Sequence, residues 1–152
     1  MTRRTPKAEL LRQFLLEMLE LQGQLARHAE GMTAEYSQTP ARWKVLTAAG
    51  CDLRTVPQIA RRMGMTRQGV QRIANQLVED GLAAFATNPH HRSSPVLELT
   101  AEGTAVDDAI CEAHAEWSNG VARRLDAAKL EAAIKTFGTL TALLGESETS
   151  AG

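Results

Sequence analysis

The chain has 152 residues, 43% of them hydrophobic, enough to bury the core of one domain, and its 17 basic and 18 acidic residues nearly cancel. With only 4% aromatic residues and abundant Ala and Leu, it favours helices packed on helices over a sheet sandwich. Two cysteines at no ligand-like spacing, an N-terminal MTRRTPKAEL without the apolar run of a signal peptide, and no stretch near the roughly 20 apolar residues of a membrane span predict a soluble protein of the reducing cytoplasm with no membrane partner.

The first element, residues 7–30, sets Leu10, Leu11, Phe14, Leu15, Met18, Leu21 and Leu25 at spacings of three and four, a broad apolar stripe on a long helix that starts after Pro6. A polar stretch from Gly31 to Gln38 follows. Thr39-Pro40 then reads as an N-cap with proline at the first helical position, opening a helix that turns Trp43, Val45 and Leu46 inward and ends near Gly50. Thr55 caps a short helix with Ile59, Ala60 and Met63 on one side; Gly64 stops it, and Thr66 caps the next. Two short helices joined by a turn containing glycine form a helix-turn-helix. After Gly81, Leu82–Thr87 and Val96–Thr100 are expected as extended segments, the second alternating Leu97 and Leu99 against Glu98, with a turn-rich basic tip between them. Thr100 caps a helix carrying Val106, Ala109, Ile110, Ala113, Trp117 and Val121. Asp126 caps the last helix, whose apolar positions Leu130, Ile134, Phe137, Leu140 and Leu144 end at Gly145, with ESETSAG a frayed end.

The expected fold is mainly α with a small β-hairpin wing. It comprises a winged helix-turn-helix over residues 39–100 within a single domain of 1–152, flanked by dimerisation helices at 7–30 and 101–145. Stripes this long exceed what a winged unit of about sixty residues covers, so the outer helices are expected to pair across a twofold axis as a homodimer. A monomeric bundle closing on itself is the alternative.

Charge is distributed by region. Residues 42–92 hold eight basic residues against three acidic, and residues 93–152 hold four against ten. Within the helix from Thr66, Arg67 sits in the first turn and Glu79 and Asp80 in the last, opposite to what the helix dipole favours, at a cost of about 0.3–1 kcal/mol each. The reversal makes sense if the first two turns enter an anionic groove and the end points away. Arg67, Gln68, Gln71, Arg72 and Asn75 lie opposite the apolar Val70, Ile73, Ala74, Leu77 and Val78. Gln and Asn offer paired groups to adenine and Arg grips guanine, so these five are the candidate base readers of double-stranded DNA. Arg42, Lys44, Arg61, Arg62, Thr66, His90, His91 and Arg92 are the candidate phosphate and wing contacts.

The stretches TPARWKVL, VPQIARRMGMTRQGVQRIANQLVEDGL and LELTAEG resemble the MarR family of dimeric winged helix-turn-helix transcription regulators, and the order of elements matches over nearly the whole chain. The resemblance implies that the helix from Thr66 is the recognition helix, that 82–100 is the wing, and that the termini form the dimer. The family's Asp-x-Arg wing pattern is replaced by Asn88-Pro89-His90-His91-Arg92-Ser93-Ser94-Pro95, so Arg92 alone carries over as the wing-tip arginine. Repression is the family habit. So is release by a small aromatic or anionic effector, for which His28, Tyr36, Trp43, His114 and Trp117 are candidate lining residues.

Other chemistries are weaker in this sequence. No nucleophile motif, Gly-rich phosphate loop or paired-carboxylate frame is present, and an enzyme is not expected. His28, His90, His91, His114, Cys51 and Cys111 are ligand types, but no His pair stands at i, i+4, and neither a metal nor a cofactor is expected. Asp107, Asp108 and Glu112 around Cys111, and Asp52 beside Cys51, disfavour reactive thiolates. A redox- or metal-responsive regulator of the same fold, or a winged helix used only for protein contacts, are the alternative functions.

Overall fold

The computed structural model describes residues 4–52, 54–89 and 94–149. Among these residues the chain forms six helices and one two-stranded antiparallel sheet. Their order is α1 (Pro6–Ala34), α2 (Pro40–Gly50), α3 (Val56–Met63), α4 (Arg67–Glu79), β1 (Ala83–Ala86), β2 (Val96–Leu99), α5 (Ala101–Ala122) and α6 (Ala127–Thr149). This is the mainly helical, hairpin-bearing architecture that the sequence predicts. The chain divides into two compact units, Met1–Ala113 and His114–Gly152.

Local capping chemistry starts most of these helices. Thr39 accepts from the Arg42 amide at 3.2 Å ahead of Pro40, and Thr66 accepts from the Gly69 amide at 3.0 Å. Thr55 and Gln58 complete a reciprocal capping box at the start of α3. Thr100 accepts from the Gly103 amide at 3.0 Å, and Asp126 from the Lys129 amide at 3.0 Å. Gly64 (φ 62°) ends α3 and Gly81 (φ 74°) follows α4, both in the left-handed region where a side chain is disfavoured.

In the first unit, α2, α3, α4 and the sheet close one core: Val45, Leu46, Ile59, Val70, Leu77 and Leu97 are fully buried. The hairpin register pairs Ala83 with Leu99 and Phe85 with Leu97, so Leu97 faces the core while Glu98 is exposed. The sheet has a short third partner that the sequence reading lacks. The Leu97 amide donates to the Arg54 carbonyl at 2.8 Å, and Thr55 bridges Val96. The link between α2 and α3 is thereby stitched to β2.

Two helix ends differ from expectation. α1 runs through Gly31 to Ala34, because Met32 and Thr33 are buried and the Thr33 hydroxyl donates back to the Ala29 carbonyl at 2.8 Å. α6 runs through Gly145 to Thr149. A glycine stops a helix when it turns left-handed, and among the described residues only Gly64 and Gly81 are glycines with positive φ. Along α1, Leu10, Leu11, Leu15, Leu16, Leu19, Leu21 and Leu25 are all exposed. In the second unit, Leu130, Ile134, Phe137, Leu143 and Leu144 of α6 are exposed as well. No described helix is long and apolar enough to cross a membrane.

Candidate nucleic-acid interface

α4 is held by its apolar side. Val70, Ile73, Ala74 and Leu77 are buried, which turns Arg67, Gln68, Gln71, Arg72 and Asn75 outward, and all five are exposed. The first turn contains no acid and the last no base. Gln71 Nε2 donates to Asn75 Oδ1 at 2.9 Å, so two of the five outward side chains form an ordered amide pair. Arg67, Gln68 and Gln71 also line a groove of about 370 Å³ with Val56 and Pro57 from the start of α3 and Ser94 and Pro95 from the base of the hairpin. The start of α4 and the hairpin thus border one concavity. Ser94 and Pro95 were not among the sequence candidates; the Asn88 side chain, which donates to the Ser94 carbonyl at 3.0 Å, fixes their approach.

The candidate cations occupy different settings. Arg61 and Arg62 are exposed in the last turn of α3, where a helix dipole favours positive charge in any case, and Lys44 is exposed on α2. Thr66 spends its oxygen on the α4 cap, leaving its O–H as a donor. Arg42 is engaged elsewhere. Its Nη2 lies 2.6 Å from Asp80 Oδ2 and its Nε 2.7 Å from Gln38 Oε1, with the side chain only 15% exposed. Arg54 pairs with Glu98 of β2 at 3.0 Å. His90, His91 and Arg92 lie outside the described residues.

The residues expected to line an effector pocket are divided between the two units. His28, Tyr36 and Trp43 are half-buried in the first. His114 and Trp117 are half-buried in the second, with ring centroids 5.5 Å apart and His114 Nδ1 3.4 Å from the Ser118 hydroxyl. A second cavity in the first unit, about 490 Å³, is lined by other residues, among them Thr47, Cys51, Arg54, Glu98, Asp107 and Cys111. Burial, first, and the adjacent Asp107 carboxylate push the Cys111 thiol up, against weaker opposing hydrogen bonds from Trp43 and Thr47. Cys51 is exposed. No group of three or more His, Cys, Asp or Glu able to hold a metal occurs among the described residues.

Residues 44–92, which begin within α2 and take in α3, α4 and β1, match the family model described as MarR family. The chain belongs to the MarR family. This MarR family protein is 47% identical over 116 residues to an uncharacterized protein of Mycobacterium tuberculosis, covering 76% of the chain and 81% of the relative. Its fold is that of a crystallised MarR family transcription regulator, with a TM-score of 0.81 at 23% identity over 92% of this chain and 93% of the other. It also matches a mutant of Staphylococcus aureus MepR bound to an oligodeoxyribonucleotide, with a TM-score of 0.54 at 17% identity over 94% and 99% of the two chains. Likenesses at these identities establish the fold, and the MarR family protein has the fold of a transcription regulator.

Proposed function

We propose that this MarR family protein is a cytoplasmic, non-enzymatic transcription regulator that binds double-stranded DNA as a homodimer and represses. In this reading the first two turns of α4 enter the major groove, where Arg72 and Arg67 address guanine and the Gln71–Asn75 amides address adenine. Lys44, Arg61, Arg62 and the wing-tip Arg92, with His90, His91 and the Thr66 hydroxyl, supply phosphate contacts that fix register. The observation that carries the reading is the α4 face itself: five exposed polar side chains on a helix start free of acid, opening on a groove shared with the hairpin. The MepR complex with an oligodeoxyribonucleotide supports it by likeness of fold.

The homodimer is supported by the apolar residues that α1 and α6 each leave exposed, Leu10 at 68% and Ile134 at 63% among them. Two protomers related by a twofold axis place their recognition helices about 34 Å apart, so the operator is a pseudo-palindrome. A small aromatic or anionic effector would release DNA by favouring a different separation of the two helices.

Selection of duplexes from a random-sequence pool by the wild-type protein tests this reading. A palindromic consensus is expected. Arg72→Ala weakens the selected duplex by about 1–3 kcal/mol and relaxes one base position. Unchanged base preference in the variant would remove Arg72 from base reading, and failure to enrich any sequence would end the proposal.

A further inference from the structure

The Asp80 carboxylate at the end of α4 has a partner that its position in the helix does not reveal. Asp80 is the C-cap of α4, its own amide donating to the Gln76 carbonyl, and a carboxylate there meets the negative end of the helix dipole. Arg42 stands in the first turn of α2, where the positive end of a second dipole opposes it. Each charge is misplaced on its own helix, and each is neutralised by the other across 2.6 Å.

We propose that Arg42 is a positioning residue that holds the recognition helix at its C-terminal end, and not a contact to DNA; this rests on the DNA-binding reading given above. Two different nitrogens of one guanidinium are committed, Nη2 to Asp80 and Nε to Gln38, which fixes the plane of the fork. Gln38 is itself buried and donates to the Tyr36 carbonyl at 3.4 Å, in the turn where Ser37 adopts φ 55°. The clamp therefore joins the turn between α1 and α2 to the end of α4. Swinging Arg42 out to a phosphate would break both bonds and leave the Gln38 oxygen buried without that donor. Lys44, two residues on and exposed, has no such commitment among the described residues. Base hydrogen bonds depend on orientation more steeply than attraction to phosphate does, so loosening the clamp removes discrimination before it removes affinity.

The clamp and a phosphate contact predict opposite signs for Asp80. Arg42→Ala, Asp80→Asn and the exchange Arg42→Asp with Asp80→Arg are compared on the duplex selected by the wild type and on a random-sequence duplex of equal length, across a salt series. The clamp predicts about tenfold weaker binding of the selected duplex by both single variants, although Asp80→Asn removes a negative charge that would repel DNA. It also predicts little change on random duplex, an unaltered salt slope, and substantial recovery in the exchange. Tighter binding by Asp80→Asn, or a salt slope reduced by about 0.9 in Arg42→Ala, assigns Arg42 to a phosphate and overturns the proposal. Amide hydrogen exchange across residues 76–82, expected to accelerate in both single variants and recover in the exchange, reads the clamp without DNA. If the wild type selects no duplex, the DNA-binding reading falls while this exchange still decides the clamp: acceleration with recovery upholds it, and unchanged rates overturn it.

Discussion

Replacing Gly103 by alanine sets two effects of opposite sign against each other. In an unobstructed helix the change stabilises by about 1 kcal/mol. In α5, however, a Cβ at Gly103 would lie 1.8 Å from the Leu82 carbonyl oxygen and 2.8 Å from its carbon, where ordinary contact begins at 3.4 Å. Restoring contact to the oxygen requires a displacement of about 1.6 Å between the start of α5 and the residue that leads into β1. The same seam holds the Thr100 amide to the Leu82 carbonyl at 3.1 Å and the Thr100 hydroxyl to the Gly81 carbonyl at 2.7 Å, and neither bond survives such a shift. Two lost bonds at about 1 kcal/mol each, with about 1–3 kcal/mol for overpacking, outweigh the propensity gain and leave a net destabilisation of about 2–4 kcal/mol. Urea titration at fixed protein concentration measures it as a lower midpoint with unchanged slope. A midpoint equal to or above the wild type would refute the close approach of α5 to Leu82.

The homodimer is checked by Leu19→Glu on α1 and Ile134→Glu on α6, each expected to weaken self-association by more than tenfold, since burying one such side chain is worth about 1.5–3 kcal/mol. Sedimentation velocity reads the result, and a wild-type monomer at micromolar concentration would dismiss the dimer. Burial and Asp107 raise the Cys111 pKa, so at any pH below the shifted value less thiolate is present than in a free thiol. Iodoacetamide at pH 8 is expected to label exposed Cys51 before Cys111 by peptide mass spectrometry; faster labelling of Cys111 would contradict its surroundings as described.

What was legible in the sequence is what short-range chemistry decides. Thr39, Thr55, Thr66, Thr100 and Asp126 announce helix starts because a cap needs partners only two or three residues away, and the 3.6-residue period of Val70, Ile73, Ala74 and Leu77 fixes which face of α4 is outward. The pairing of Arg42 with Asp80 spans 38 residues and leaves no periodic trace, although an acid at a helix C-cap is itself a request for a distant base. The contribution of Arg54 and Thr55 to the sheet was hidden for the same reason, since two residues are too few to show alternation. Ser94 and Pro95 read as turn formers, and only the folded chain brings them beside Arg67. Gly31 and Gly145 misled because glycine punctuates a helix only when its backbone dihedral changes sign.

The bond from Leu97 to Arg54 has a mechanical corollary. A free ribbon can swing about its two ends, but this one is sewn along one margin to the segment between α2 and α3, and at its root to the start of α5 through Thr100. Any lever acting on α5 therefore drags the ribbon and the helix pair beside it as a single piece. The sewn margin also withholds the Leu97 amide from strands of other molecules, which discourages edge-on pairing along that side of the ribbon.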